Sequence, residues 1–293
     1  MDILTGLALA SLLRIAGMLP SGVKQRIRQS GTLSRLVRVL YNAFDTTDSS
    51  ARLVVAGPLK GMRIVMGTQD HMAFLTDAYE PQVVKALIEH CKPGMVACDI
   101  GAHLGYFTLL LSRLVQPGGY VYAFEPFTEN YRRLEKTIRI NRLSNVLIRP
   151  LAVSNKCGNA YFRESLSSCM GRIVWGHNGT YDGVHQPLCV HTVSLDEFAD
   201  RERLKKIDLI KMDIEGEELN ALLGMQRLLT NGRPTIVCEV HAGLVERSEV
   251  ISFLEGLEYR VYSLEGNMLP VNRFHFEGGH ILAKWEYGGR AEK

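Results

Sequence analysis

Short apolar runs alternate along most of this chain with longer stretches in which apolar residues recur every three or four positions. The runs read as strands and the stretches as helices. From residue 80 the order is regular: helix 80–91, strand 95–100, helix 105–115, strand 120–124, helix 128–141 and strand 146–152. After an irregular insertion at 153–194 it resumes with strand 207–213, helix 217–229, strand 235–240, helix 247–256 and closing strands 259–264 and 280–285. Such alternation predicts an α/β fold, a mostly parallel sheet with helices on both faces. Two late strands with no helix between them predict a terminal antiparallel hairpin at one edge. Upstream, RLVVAG (52–57) and MRIVMG (62–67) flank a turn at 58–61 and predict a small β-hairpin.

Two regions depart from this rhythm. Residues 3–19 are mostly apolar, with Leu4, Ala8, Leu12, Ile15 and Leu19 at helical spacing and Pro20 closing the run. Asp2 and Arg14 interrupt it, and its unbroken part falls short of the roughly 20 residues that cross a bilayer. No basic region of a signal peptide precedes it. Lys24, Arg26, Arg28, Arg35 and Arg38 follow. Residues 1–50 therefore read as a helical segment packed on the domain at 51–293. The alternative is peripheral membrane contact through residues 3–38, with the basic cluster facing anionic lipid. In the insertion, AYFRE (160–164) has strand character. The segment 165–189 is polar and aperiodic; it reads as a substrate lid or specificity loop, against a plain surface insertion. His177, His185 and His191 lie in or just after it without the spacing of a metal site.

Composition narrows the class. With 46% apolar residues in 293, a sizeable core is available, and a net charge of +3 is too small to imply nucleic acid. The six cysteines form no C-x-x-C pair, and Cys98 and Cys238 fall in core strands, which reads as buried, reduced thiols of a cytoplasmic protein. Oligomeric state is not legible.

The chemistry concentrates at VACDIGAHLGYFTLLL (96–111) and VYAFEP (121–126). A strand ends in Asp99, a turn follows with Gly101 and Gly105, a helix opens at Tyr106, and a second strand ends in Glu125, 24 residues after Gly101. Such a unit holds an adenosine-type cofactor at the carboxyl edge of a parallel sheet, the second acid accepting hydrogen bonds from ribose. The glycines permit positive φ and let bare backbone approach the ligand. His103 stands where a dinucleotide fingerprint needs its second glycine, and Asp99 suits an ammonium better than a diphosphate. The cofactor expected is S-adenosylmethionine (SAM) rather than NAD.

A second constellation is IDLIKMDIEGEE (207–218), which brings Lys211, Asp213 and Glu215 to a strand end; CEVH brings Glu239 and His241 to the same edge. Strand-end carboxylates and a histidine beside a cofactor cleft are candidates for general base work. The candidates are Asp213 and His241, then Glu215. Glu217 and Glu218 sit in a first helical turn, where the dipole favours acids, and that is the role expected of them. Divalent metal binding by Asp213 and Glu239 is the lesser reading, because oxygen-rich sites recruit more ligands; no metal is assigned.

In order, DIGAHLGYFT, VYAFEP, PLAVS (150–154), VSLDEF (193–198), IKMDIEGEE and VCEVH resemble the FkbM family of SAM-dependent methyltransferases, over roughly residues 75–285, with YEP (79–81) just before its core. The resemblance implies the seven-stranded, Rossmann-like class I methyltransferase sheet with SAM over its carboxyl ends. It implies methyl transfer to an oxygen of a sugar, glycolipid or natural-product-like small molecule or glycan. Asp99 would hold the cofactor's amino group, and the backbone of Gly101, Ala102, His103 and Gly105, with Tyr106, would lie along its methionine portion. Glu125 and Pro126 would meet the ribose, and Leu151 and Ala152 the adenine. The rivals are a non-catalytic SAM-binding adaptor and an NAD-linked oxidoreductase.

Overall fold

The computed structural model describes residues 50–67, 72–76, 78–163, 172–174, 188–241, 247–264, 270–272 and 278–286. The N-terminal helix with its membrane alternative, and most of the 165–189 loop with His177 and His185, lie outside the described residues.

The small hairpin forms as expected, β1 (Ser50–Leu53) pairing antiparallel with β2 (Arg63–Met66). A 3₁₀ turn at Met72–Leu75 leads to α1 (Pro81–His90). Then come β3 (Val96–Ile100), α2 (Tyr106–Leu114), β4 (Tyr120–Phe124), α3 (Thr128–Ile140) and β5 (Val146–Arg149). The insertion holds β6 (Ala152–Val153), β7 (Gly158–Arg163), β8 (Arg172–Val174), β9 (Leu188–Val193) and α4 (Leu195–Arg201). The chain returns through β10 (Leu209–Met212), α5 (Glu218–Leu223), α6 (Gln226–Asn231) and β11 (Thr235–Val240). It closes with α7 (Arg247–Gly256), β12 (Tyr259–Ser263) and β13 (Gly279–Trp285).

The main sheet has seven strands in the order β12-β13-β11-β10-β3-β4-β5. β10, β11, β3, β4 and β5 are mutually parallel, while β13 runs antiparallel to both β11 and β12. This is the mostly parallel class I architecture that the alternation and the resemblance predict. The closing hairpin does not merely extend the edge: β13 inserts between β11 and β12. β3 shows why both faces need cover. Cys98 and Ile100 belong to one apolar core, with α4, α5 and α7, and Ala97 to the other, with α1 and α2. Burying a strand on both faces gives the continuous apolar run read from the sequence. Cys98 and Cys238 are buried and free, as expected.

Two expectations need correction. Strand 146–152 is divided: β5 stops at Arg149, and residues 152–153 join a second sheet of order β6-β9-β7-β8. That sheet absorbs AYFRE but also β9, whose LCVHTV sits against a polar loop and gave no strand signal. Helix 217–229 is two helices, broken at Gly224–Met225. There a β-carbon on Gly224 would lie 2.0 Å from the carbonyl oxygen of Ser154, so the chain at the break packs backbone to backbone against the insertion. No helix among the described residues is long and apolar enough to cross a membrane.

Candidate active site

The connections reverse direction between β3 and β10, since β3 leads to β4 on one side and β10 to β11 on the other. A crevice opens beyond the carboxyl ends at such a switch point. A cleft lies there, lined by Gly101, Ala102, His103, Tyr106, Glu125, Pro126, Leu151 and Ala152, and by the catalytic candidates Asp213 and Glu215. Phe74, Tyr79, Asn130 and Lys211, given no role above, complete much of its wall.

The first wall is built by β3, β4 and the loop between β3 and α2. Glu125 ends β4 and is 5% exposed. The backbone N–H of His103 donates to its Oε2 at 2.7 Å, and that of Phe127 to its Oε1 at 2.9 Å. Burial raises its pKa to about 7, against the pull of those two bonds. The carboxylate is thus clamped in place at the cleft with lone pairs to spare. The glycines answer to the protein itself more than to a ligand. Gly101, at φ +84°, would place a β-carbon 1.9 Å from the carbonyl oxygen of Asp213, and Gly105, at φ +95°, would meet Leu134 at 2.6 Å. Gly105 does not line the cleft.

Asp99 sits behind the cleft. Its side chain is fully buried, and it accepts a hydrogen bond from the Thr108 hydroxyl at 2.5 Å. Strand register places Lys211 directly beside it, with Nζ 3.8 Å from Oδ1. Burial pushes the Asp99 carboxyl upward, with Lys211 and Thr108 opposing the shift. Lys211 is 4% exposed, lies 3.6 Å from Asp213 and rests over the Phe107 ring at 4.7 Å. Despite the desolvation, Asp213 and Asp99 raise its pKa, so it remains an ammonium.

The second wall is the acid-rich edge. Asp213 follows β10 directly, and Glu239 and His241 share one face at the end of β11. His241 Nε2 lies 3.3 Å from Glu215, 3.6 Å from Asp213 and 3.9 Å from Glu239. Its Nδ1 lies 2.8 Å from Oε1 of Glu218. Burial alone would lower the His241 pKa, but Glu218, Asp213 and Glu215 outweigh it and raise it to about 9. The helix-dipole account of Glu217 and Glu218 is therefore insufficient. Glu218 is fully buried and orients His241, and Glu217 accepts hydrogen bonds from Ser154 and Asn220. His241 stands outside the cleft lining, which Asp213 and Glu215 reach.

Two residues far apart in sequence join this edge. Glu80, in a left-handed conformation at φ +38° just before α1, contacts His280 at the start of β13 (3.2 Å), and His280 also meets Glu239 at 3.3 Å. Glu80, His103 and Glu215 are all non-glycine residues with positive φ at the site, a strain of about 1–3 kcal/mol each that surrounding structure must hold. The only sequence cue to Glu80 was YEP, and His280 had none. An aromatic cluster packs between the two walls: Phe74 stacks on Tyr106 at 5.5 Å, and Tyr79 meets both edge-on at 4.4 and 5.2 Å.

Residues 99–261 match the methyltransferase FkbM domain. Over 167 residues the chain is 29% identical to the hexuronic acid methyltransferase AglP of Haloferax volcanii, covering 56% of this chain and 64% of that protein. It is 23% identical over 214 residues to the 31-O-demethyl-FK506 methyltransferase FkbM of Streptomyces tacrolimicus, covering 63% and 80%. It is 28% identical over 154 residues to the 2-O-methyltransferase NoeI of Sinorhizobium fredii, covering 48% and 62%. The matched part is thus less than two thirds of the length of AglP and of NoeI. The domain match runs unbroken over more than half the chain and takes in the glycine loop, Glu125, Asp213 and His241; the chain belongs to the FkbM family of methyltransferases.

Proposed function

We propose that this chain binds SAM in the cleft and methylates a hydroxyl oxygen of a sugar-like or natural-product-like small molecule. The observation that carries the reading is the placement of Glu125 and Asp213 on opposite walls of one cleft at the switch point of the sheet. The relatives' names add a hexuronic acid, 31-O-demethyl-FK506 and a 2-O position as what those proteins methylate.

The residues present fit this cofactor. Glu125 offers ribose hydroxyls a fixed carboxylate. Leu151 and Ala152 give an apolar wall for adenine. The rings of Phe74, Tyr79 and Tyr106 present π-faces and edges beside the cleft, surroundings that favour a cationic sulfonium. Among the described residues the one buried lysine or arginine, Lys211, is already engaged by Asp99 and Asp213, which leaves little for a diphosphate. The ammonium role assigned to Asp99 is the weakest of the set, because its carboxylate lies behind the lining; we place it instead in support of Lys211 and the β3 end.

When bound, SAM supplies a methyl group already activated on sulfur. The chain's own residues then have two tasks. The walls must align the acceptor oxygen, which can be worth about 7–11 kcal/mol. A base must take the hydroxyl proton, worth about 10²–10⁴-fold. Asp213 is the base we assign, because its carboxylate reaches the cleft while His241 stands behind it on Glu218. Glu215 is the neighbouring alternative. For a lipid-linked acceptor, the apolar run 3–19 and the basic residues up to Arg38 would suit contact with an anionic membrane surface.

The test is incubation with methyl-labelled SAM and a panel of hexuronic acids, simple glycosides and polyhydroxylated macrocycles. Label appearing as an O-methyl ether, in step with release of S-adenosylhomocysteine, is the expected outcome. Label confined to nitrogen or carbon acceptors would contradict it.

A further inference from the structure

We propose that Asp213, Glu239 and His241 form a site for one divalent transition-metal ion of the Mn²⁺ or Zn²⁺ type at the acceptor end of the cleft. One ligand atom from each of the three lies within 4.8 Å of the other two. The proposal rests on the reading of the cleft above; Asp213 would ligate through one carboxylate oxygen and keep the other for the acceptor's proton.

Local structure builds this grouping. β10 and β11 are parallel neighbours with Met212 opposite Cys238, so Asp213 emerges level with Glu239, and His241 follows two residues later on the same face. All three are partly exposed, with side-chain exposures of 20%, 28% and 17%, so an ion could reach them from solvent.

Two further observations point to a ligand rather than to a plain ion-pair network. The first is the orientation of His241. Its Nδ1 is tied to Glu218, which is fully buried, also accepts the Gly216 N–H at 3.1 Å, and keeps a buried Oε2 with no hydrogen-bond partner. That leaves Nε2 turned toward the carboxylates of Glu215, Asp213 and Glu239, at 3.3, 3.6 and 3.9 Å. A histidine held at one nitrogen by a carboxylate with the other facing outward is how metal-ligating histidines are ordinarily set. The second is the orientation of Glu239. Its Oε2 is held by His280 at 3.3 Å, and its Oε1 is directed to the His241 side at 3.9 Å. Two of the three donors are thus locked from behind, each by a residue outside the ligand set.

The donor set selects the ion. One imidazole nitrogen with two carboxylate oxygens suits borderline divalent ions, whereas Ca²⁺ takes six to eight oxygens and thiolates would be needed for soft ions. Three protein ligands leave coordination positions open. Asp213 alone of the three lines the cleft, so an ion held there would border it and could acidify the hydroxyl of an acceptor offering two neighbouring oxygens.

The experiment uses the full chain, treated with chelator and dialysed. MnCl₂ and ZnCl₂ are titrated calorimetrically into the parent, Glu239→Gln and His241→Ala, and SAM is titrated into the same three proteins without metal. The parent should bind close to one equivalent of at least one of the two ions. Each variant should weaken that binding by about 10-fold or more, the scale on which even outer-shell changes act, while SAM affinity stays level. Glu239→Gln keeps the side-chain shape and decides the matter if His241→Ala fails to fold. No saturable binding by the parent, or equal binding by Glu239→Gln, would overturn the site. Loss of SAM binding by the metal-free parent would instead count against the cofactor reading.

Discussion

A β-carbon on Gly101 would stand 1.9 Å from the carbonyl oxygen of Asp213. The glycine loop that borders the cleft and the strand end that carries the proposed base are in direct backbone contact. Gly101 also has φ +84°, a conformation that L side chains rarely adopt. Gly101→Ala must therefore push β3 from β10 or strain the turn. We expect a stability loss of about 1–3 kcal/mol from overpacking and strain together, with weaker SAM binding and slower turnover. An unchanged urea midpoint would show that the two segments part easily.

Asp213→Asn separates chemistry from binding. The amide keeps the shape of the side chain but cannot accept the acceptor's proton. Turnover should fall by about 10²–10⁴-fold while the dissociation constant for SAM changes little, the pattern of a group needed in the transition state. Parent-level turnover would move the base to Glu215.

Lys211 and Asp99 are register partners on adjacent parallel strands, 4% and 0% exposed. Lys211→Met strands a buried carboxylate, and breaking a buried pair from one side costs about 3–5 kcal/mol. The double change Asp99→Asn with Lys211→Met should recover much of that loss. A double variant as unstable as the sum of the singles would mean the pair is not coupled.

Glu125 supplies a pH test. Its pKa rises from 4.5 unfolded to about 7 folded because the group is buried. A group that binds its proton more tightly when folded contributes stability fully below pH 4.5, and that contribution is lost as pH rises through 7. The loss is on the order of 3 kcal/mol. Denaturation midpoints of Glu125→Gln should therefore fall less than those of the parent between pH 4.5 and 7.5. Parallel curves would mean the carboxylate is already ionised at pH 5.

The mostly parallel sheet and the glycine loop were legible because strands buried on both faces leave apolar runs, and because Glu125 must fall a helix and a strand after Gly101. Asp213 and His241 were legible for the same reason, as strand-end polar residues at a carboxyl edge. How deep a strand-end side chain sits was not. Asp99 and Asp213 look alike in sequence and share a sheet face, yet Asp99 lies two residues deeper, level with Lys211, while Asp213 lies past the end of β10. Glu218 was hidden by a sufficient simpler explanation, the helix dipole. Glu80 and His280 reach the site from segments 200 residues apart, a juxtaposition that only the insertion of β13 beside β11 produces. β9 was missed because its pairing partners, β6 and β7, lie in the insertion and leave no periodicity in its own six residues.

We hold above all that this cleft binds SAM with Glu125 on its ribose. Calorimetric titration of S-adenosylhomocysteine into the purified parent and into Glu125→Ala tests it most directly. The account predicts saturable binding by the parent and a loss of about 1.5–3 kcal/mol in the variant, the worth of hydrogen bonds to a charged group. No binding by the parent, or equal affinity in the two proteins, would contradict it.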